Sequence, residues 1–333
     1  VRPGLRGAGN EMNYDMMHAC RLCPRECGAD RAGGQRGFCG AGDRIMVARA
    51  ALHFWEEPCI SGQRGSGAVF FTGCSLGCVY CQNYEISGTG AKLFGLEVSE
   101  AELAGIFLRL QGEGAENINL VTACHFVPQV AEALRRAKAA GLVIPVIYNS
   151  GGYEKAETLR LLEGLVDVYL PDFKYMDADL AARLSRAPDY PDRAKEAIAE
   201  MVRQTGDAVF GPGYGAGPMI RRGVIVRHLL LPGHVRNAKA VVQYLHDTYG
   251  DRIWLSLMSQ YTPVAPERAA QADPGLRRRV TKREYERLVD FALQTGVKNG
   301  FIQEGKSARE SFIPSFRGEG VRAAQTDRGA REV

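Results

Sequence analysis

Three cysteines stand at i, i+4 and i+7 within a single glycine-punctuated run. They are Cys74, Cys78 and Cys81, between Gly67 and Asn83. Cysteine thiolates are the usual ligands of iron–sulfur clusters, and a cubane cluster has four irons. Three local ligands leave one iron without a protein ligand. Such an open iron can take a substrate or cofactor, whereas a fourth cysteine would close the site. Gly73 and Gly77 allow the turns that wrap a backbone around something bulky. Two plainer readings stand beside this one: a zinc site completed by a distant residue, and buried thiols without metal.

A second group, Cys20, Cys23, Cys27 and Cys39, places four thiols within twenty residues of glycine-rich chain. Four cysteines at short spacing can enclose a tetrahedral zinc or hold an auxiliary iron–sulfur cluster. Spacing does not separate the two, and an unmetallated set is the third reading. The segment carries few large apolar residues, so a metal would help to order it. Eight of the nine cysteines precede residue 82; Cys124 alone follows and reads as a small buried residue. Cys59, between Pro58 and Ile60, reads as a non-ligand. An odd count and the absence of an apolar leader after Val1 favour metal ligation over disulfides and predict a cytoplasmic protein.

The elements that must position these thiols follow from periodicity. Short apolar runs read as strands at 69–72, 118–122, 144–148, 166–170, 224–230 and 253–257, with a short strand-like run at 300–303. Helical patterns lie between most of them, at 100–110, 128–139, 154–162, 195–204, 237–249 and 282–294. Ser99 and Thr281 stand where N-caps belong. Buried strands alternating with amphipathic helices predict a parallel sheet covered by helices. The expected organisation is a lead-in at 1–18, a cysteine-rich extension at 19–67, a barrel at 68–316 and a frayed tail at 317–333. Residues 20–67 read as loop-like, and 206–223 as an insertion on the rim.

The pattern Cys74-x3-Cys78-x-Tyr80-Cys81 resembles the signature of the radical S-adenosylmethionine (SAM) superfamily. The stretch from Phe70 to Ser87 is similar to its pyruvate formate-lyase activating enzyme-like branch. Leu229–Gly233, Ser256–Tyr261 and Phe301–Gln303 look like the same branch, and the likeness runs from about Cys20 to Pro314. The resemblance implies an α/β fold, a partial (β/α)6 TIM-type barrel with a Cys-rich N-terminal extension. It also implies that Cys74, Cys78 and Cys81 ligate a [4Fe-4S] cluster whose open iron chelates S-adenosyl-L-methionine. Reductive cleavage would then give a 5′-deoxyadenosyl radical that abstracts hydrogen from a substrate. The cofactor carries that chemistry while the protein binds, orients and shields it.

By the same pattern Tyr80 would lie against the adenine. Chemistry on a parallel barrel sits at the C-terminal ends of the strands, which nominates further residues. Many superfamily members carry Gly-Gly-Glu after the second strand to grip the methionyl amine. This chain lacks it, and Thr122 and His125 are the candidates to replace it. Asn149 and Ser150 can meet a ribose, or cap a helix. Asp172 and Lys174 resemble the Asp-x-Lys of activating enzymes, where the lysine neutralises the SAM carboxylate; an ion pair of purely structural use is the alternative. Arg227, followed by His228, interrupts an apolar strand and needs a carboxylate partner, for which the ligand is a candidate. Gln260 lies just past the sixth strand.

Composition bounds the remaining classes. The 333 residues are 45% hydrophobic, ordinary for a folded domain and too apolar for a disordered one. The net charge of +4 is too mild to argue for nucleic acid, and Arg277–Arg279 reads as a solvated loop. No run approaches the ~18 apolar residues of a membrane helix. The expected partners are a protein or peptide substrate and an electron donor such as flavodoxin or ferredoxin. A glycyl-radical enzyme is one candidate substrate, and a directly modified peptide or small metabolite another. A non-catalytic iron–sulfur or zinc protein is the competing class.

Overall fold

Strands buried on both faces pair in parallel when helices return the chain to the same edge. That is the arrangement in the computed structural model, which describes residues 16–87, 94–213, 217–264, 266–302 and 314–322. The strands are β1 (Ile45–His53), β2 (Ser66–Phe71), β3 (Leu96–Val98), β4 (Ile118–Val121) and β5 (Val146–Ser150). They continue with β6 (Val168–Pro171), β7 (Val209–Gly211), β8 (Met219–Leu229), β9 (Trp254–Met258) and β10 (Gly300–Ile302). Their order in the sheet is β10-β9-β8-β6-β5-β4-β2-β1-β3, with β7 paired to β8. Every pairing from β2 to β10 along that order is parallel, and β1 runs antiparallel to both β2 and β3. The sheet ends at β3 and β10 without closing, as a partial barrel.

The covering helices include α1 (Glu100–Gly112), α2 (Val127–Ala139), α3 (Ala178–Ser185), α4 (Tyr190–Thr205), α5 (Val235–Tyr249) and α6 (Lys282–Thr295). Capping boxes start α1 at Ser99 and α6 at Thr281, each with a glutamate three residues on. Side-chain parity along the strands then sorts inside from outside. Tyr148, Tyr169, Val224 and Val226 join the large core under the helices. Ile147, Val168, Leu170 and Ile225 join a separate cluster with Cys59, Ile60, Phe210, Trp254 and Phe301 inside the curve of the sheet. Continuing that parity puts Asn149, Asp172 and Arg227 inside and turns His228 toward the helices.

Several expectations change. The segment read as loop-like contains β1 and a short helix, Pro58–Ser61. Its alanine-rich sequence carries little strand propensity, and pairing with β2 decides the conformation. The expected rim insertion at 206–223 is partly sheet: β7 and the start of β8 form an antiparallel pair there. The helix expected over 154–162 shrinks to Ala156–Leu159 and a single 3-10 turn. The tail is ordered at its start: the Gly318 amide donates to the Ala48 carbonyl, and the Ala50 amide to that of Glu319. Gln303 of the expected last strand, residues 1–15 of the lead-in and residues 323–333 of the tail lie outside the described residues. Among the described residues no helix is long and apolar enough to cross a membrane. Arg277 and Arg278 pair with Glu267 and Glu284, consistent with a solvated surface run.

His228 is buried, with Nδ1 2.7 Å from the Phe173 carbonyl and no partner at Nε2 among the described residues. Burial pushes its pKa from 6.5 down to about 4. Between those values the unfolded chain binds the extra proton, so stability is lost as the pH falls through that window. The loss approaches about 3 kcal/mol for this residue. His228→Asn, which keeps a donor for Phe173, is expected to flatten part of the fall in thermal midpoint between pH 6.5 and 4. An unchanged slope in the variant would contradict this.

Candidate active site

Strand β2 is buried throughout and ends where the three-cysteine loop begins. Gly73 makes the turn with φ of +102°, and a Cβ there would stand 2.7 Å from the Cys39 carbonyl. The loop is anchored in the core by the buried Leu76 and Tyr80. Its carbonyls are held by side chains from elsewhere in the fold. His125 Nε2 lies 2.8 Å from the Thr72 carbonyl. Arg25 donates to the carbonyls of Ser75 (2.8 Å) and Leu76 (3.2 Å), and Arg268 to that of Cys78 (2.8 Å). With carbonyls drawn outward, amide and hydroxyl donors face the sulfurs. The Leu76 amide points at Cys74 Sγ (3.4 Å), Ser185 Oγ at Cys78 Sγ (2.9 Å) and Ser87 Oγ at Cys81 Sγ (3.2 Å). Such donors favour anionic sulfur.

Beyond Ser185 the hydroxyls continue inward. Tyr175 stands 2.7 Å from Ser185 Oγ, and Tyr80 stands 2.6 Å from Tyr175. Since Ser185 donates to Cys78, the chain is polarised toward that sulfur. All three cysteines open onto one cavity of about 670 Å³ inside the curve of the sheet. Its lining includes Tyr80, Thr122, Asn149, Ser150, Asp172, Lys174, Arg227 and Gln260. Burial would push the Lys174 ammonium pKa down, but the Asp172 carboxylate at 2.5 Å outweighs it and holds the group charged.

Not every nominated residue faces this space in the expected way. His125 is buried beneath the loop, where it braces Thr72 and Gly73 rather than facing the cavity. Burial holds its pKa at about 3, so the ring is a neutral brace. Thr122 does line the cavity, with φ of +60°, a strained value for a β-branched residue. Ser150 accepts from the Gly152 amide at 3.3 Å and bonds Glu154, so its hydroxyl shapes a turn. It caps no helix: the next one starts after Lys155. Gly152 in that turn has φ of +75°, and a Cβ would clash with the Asp172 carbonyl at 2.1 Å.

Arg227 does find carboxylates, and they belong to the chain itself. Its guanidinium binds Glu57 at 2.5 and 2.8 Å and also pairs with Glu56. Asn119 donates to Glu56 at 3.0 Å, and Ser256 bonds Glu57. Burial would raise the Glu57 pKa, but Arg227 overrides it and keeps the carboxyl low. The expectation of a ligand carboxylate is corrected accordingly. Sequence reasoning misses Glu56 and Glu57 because they lie about 170 residues from Arg227, in a segment with no periodic signal. Arg25 and Arg268 carry no sequence signal either.

Residues 68–215 match the family model of the radical SAM superfamily. The chain carries a radical SAM superfamily domain. The superfamily works with a [4Fe-4S] cluster and S-adenosylmethionine, and the donor set described here fits both. A curated relative, an uncharacterised protein of Methanocaldococcus jannaschii, is 27% identical over 296 residues, covering 88% of this chain and 79% of that protein. Among solved structures, SuiB of Streptococcus suis bound to S-adenosylmethionine aligns with a TM-score of 0.46 at 13% identity, over 70% of this chain. The alignment spans about half of SuiB, 48% of its length. Methylornithine synthase (PylB) aligns with a TM-score of 0.42 at 11% identity, over 76% of this chain and 72% of that one. The radical SAM domain begins in β2 and contains the loop, Asn149, Asp172 and Lys174, while Arg227 lies beyond it.

Two outcomes test this site. Arg227→Met strands two buried carboxylates and is expected to cost about 3–5 kcal/mol in denaturant unfolding. Adding Glu57→Gln should recover part of that loss, and a strictly additive double variant would refute the coupling. Thr122→Gly should relieve strain and stabilise the fold by about 1 kcal/mol. An unchanged or lower stability would show that Thr122 is not strained.

Proposed function

We propose that this protein is a radical SAM enzyme that abstracts a hydrogen atom from a polypeptide substrate, in the manner of a glycyl-radical activating enzyme. In this reading Cys74, Cys78 and Cys81 hold the [4Fe-4S] cluster, leaving one iron to SAM. When bound, the cluster supplies the electron that splits SAM into methionine and a 5′-deoxyadenosyl radical. The protein's own part is to hold and shield. Lys174 offers its ammonium to the SAM carboxylate, Asn149 and Thr122 offer polar groups to the ribose or amine, and Tyr80 packs beside the adenine.

The observation that carries the polypeptide substrate is the shape of the opening. The cavity reaches the ends of the incomplete barrel, where His53 to Pro58 and Gly300 to Ile302 both line it. Its rim carries Phe54, Trp55 and Ile302, which are 49%, 60% and 50% exposed. An apolar rim at a lateral gap suits an extended chain reaching inward better than a small polar metabolite held on all sides. A low-potential donor, such as a flavodoxin or ferredoxin, would supply the electron.

Anaerobically reconstituted protein should convert SAM to 5′-deoxyadenosine on reduction. The Cys74→Ala, Cys78→Ala, Cys81→Ala triple variant should lose both this activity and the SAM-responsive paramagnetic signal. Lys174→Ala should weaken SAM binding at least tenfold in calorimetry with cluster iron retained. Deuterium from a glycine-labelled polypeptide substrate should appear in the 5′-deoxyadenosine. Enrichment from a small metabolite, with none from any polypeptide, would overturn the substrate assignment.

A further inference from the structure

The N-terminal cysteine group lies against a buried cation, with Cys20 and Cys39 nearest to it. Arg31 is fully buried, with 0% exposure. Its Nε donates to the Gly42 carbonyl at 2.8 Å, and a terminal nitrogen donates to the same carbonyl at 2.5 Å. The other terminal nitrogen points at Cys20 Sγ, 3.7 Å away. One face lies 5.5 Å from the Phe126 ring. Among the described residues no carboxylate forms an ion pair with it. An arginine stays protonated in a protein, so a buried one needs a compensating negative charge. The nearest groups able to carry that charge are the sulfurs of Cys20 and Cys39.

Those sulfurs are gathered by the backbone. The Cys20 amide donates to the Ala29 carbonyl at 3.1 Å and the Gly28 amide to the Cys20 carbonyl at 3.0 Å, closing a loop that contains Cys23 and Cys27. Cys27 Sγ and Cys39 Sγ flank Gly37, at 3.0 and 3.8 Å from where its Cβ would stand. A side chain there would press into the sulfurs. Cys23 lies within electrostatic range of both Cys20 and Cys39. Yet no three cysteine, histidine or acidic side chains among the described residues converge closely enough to chelate a single ion. Cys74, Cys78 and Cys81 form no such single-ion group either. A zinc ion would need tighter convergence.

We propose that Cys20, Cys23, Cys27 and Cys39 bind a second iron–sulfur cluster, with Arg31 as its buried counter-charge. Each thiol gives up its proton to solvent on ligation, and the anionic thiolate-bound core neutralises the guanidinium. Cys20, Cys23 and Cys39 are buried while Cys27 is exposed, which leaves one corner of the centre at the surface. The centre also adjoins the catalytic loop: Arg25, two residues after Cys23, holds Ser75 and Leu76, and the Cys39 carbonyl abuts Gly73.

The test is made on the full chain lacking Cys74, Cys78 and Cys81, so it does not depend on SAM chemistry. Reconstituted without oxygen from ferrous iron and sulfide, that variant should retain about four irons per chain. Its reduced paramagnetic signal should ignore added SAM. Cys27→Ser, at the exposed corner, should fold normally and change the line shape. Arg31→Met should move the midpoint potential to more negative values, and Arg31→Lys should restore part of the shift. One zinc without iron, neither metal, or iron unaffected by adding Cys20→Ala and Cys23→Ala would each overturn the proposal. Failure of the radical SAM reading would appear separately, as a wild-type cluster that does not respond to SAM.

Discussion

The open end of the barrel depends on how the backbone from Thr72 to Cys81 is oriented. Leu76 and Tyr80 anchor this loop in the core, but their burial alone does not orient the peptides between them. Here the shape comes from drawing its carbonyls outward. His125 holds Thr72, Arg25 holds Ser75 and Leu76, and Arg268 holds Cys78. The peptides after Ser75 and Leu76 turn their amides toward Cys74 Sγ, while the Gly73 and Val79 amides are held by the Ile86 and Leu184 carbonyls. Ser185 and Ser87 extend the same bias with hydroxyl donors. The residues that do this come from the N-terminal extension, the short helix Tyr84–Ser87, the β4–α2 connection, α3 and the helix Pro266–Ala272. Much of the fold therefore meets at one loop.

A second constraint works deeper in the cavity. Two carboxylates, one guanidinium and the neutral donors Asn119 and Ser256 form a network across the interior of the sheet. The charges do not cancel. Lys174, paired with Asp172, lies toward the cysteine loop in the same cavity. The cavity thus carries unlike charged groups toward its two ends.

How much is legible in the sequence follows from the range of each interaction. That Cys74, Cys78 and Cys81 meet at one cavity can be read because their spacing is local and the glycines beside them report turns. The parallel strands can be read because burial on both faces leaves continuous apolar runs. Strand β1 cannot, because an alanine-rich stretch becomes strand only through its pairing with β2. Periodicity puts His125 on the right connection but does not reveal its role, since parity and burial turn its ring under the loop. Arg227 is recognisable as a charge in need of a partner, but Glu56 and Glu57 come into reach only once the sheet has curved. Arg25 and Arg268 act on carbonyls, which every residue has, so no residue type marks their targets.

The docking of residues 318–321 on β1 bears on how the chain reaches this state. Arg109 donates to the carbonyls of both Ala50 and Gly320, fastening together segments from opposite ends of the sequence. Contacts so distant in sequence form slowly, because the intervening chain must lose its freedom before they are rewarded. During synthesis, the part of the outer edge of β1 beyond its pairing with β3, around Ala48 and Ala50, waits uncovered until residues 318–319 have emerged. Until then it offers unpaired backbone groups to any neighbouring strand, a period in which misassociation competes with completion. The last described residues act as a seal on the stretch of β1 that β3 leaves open.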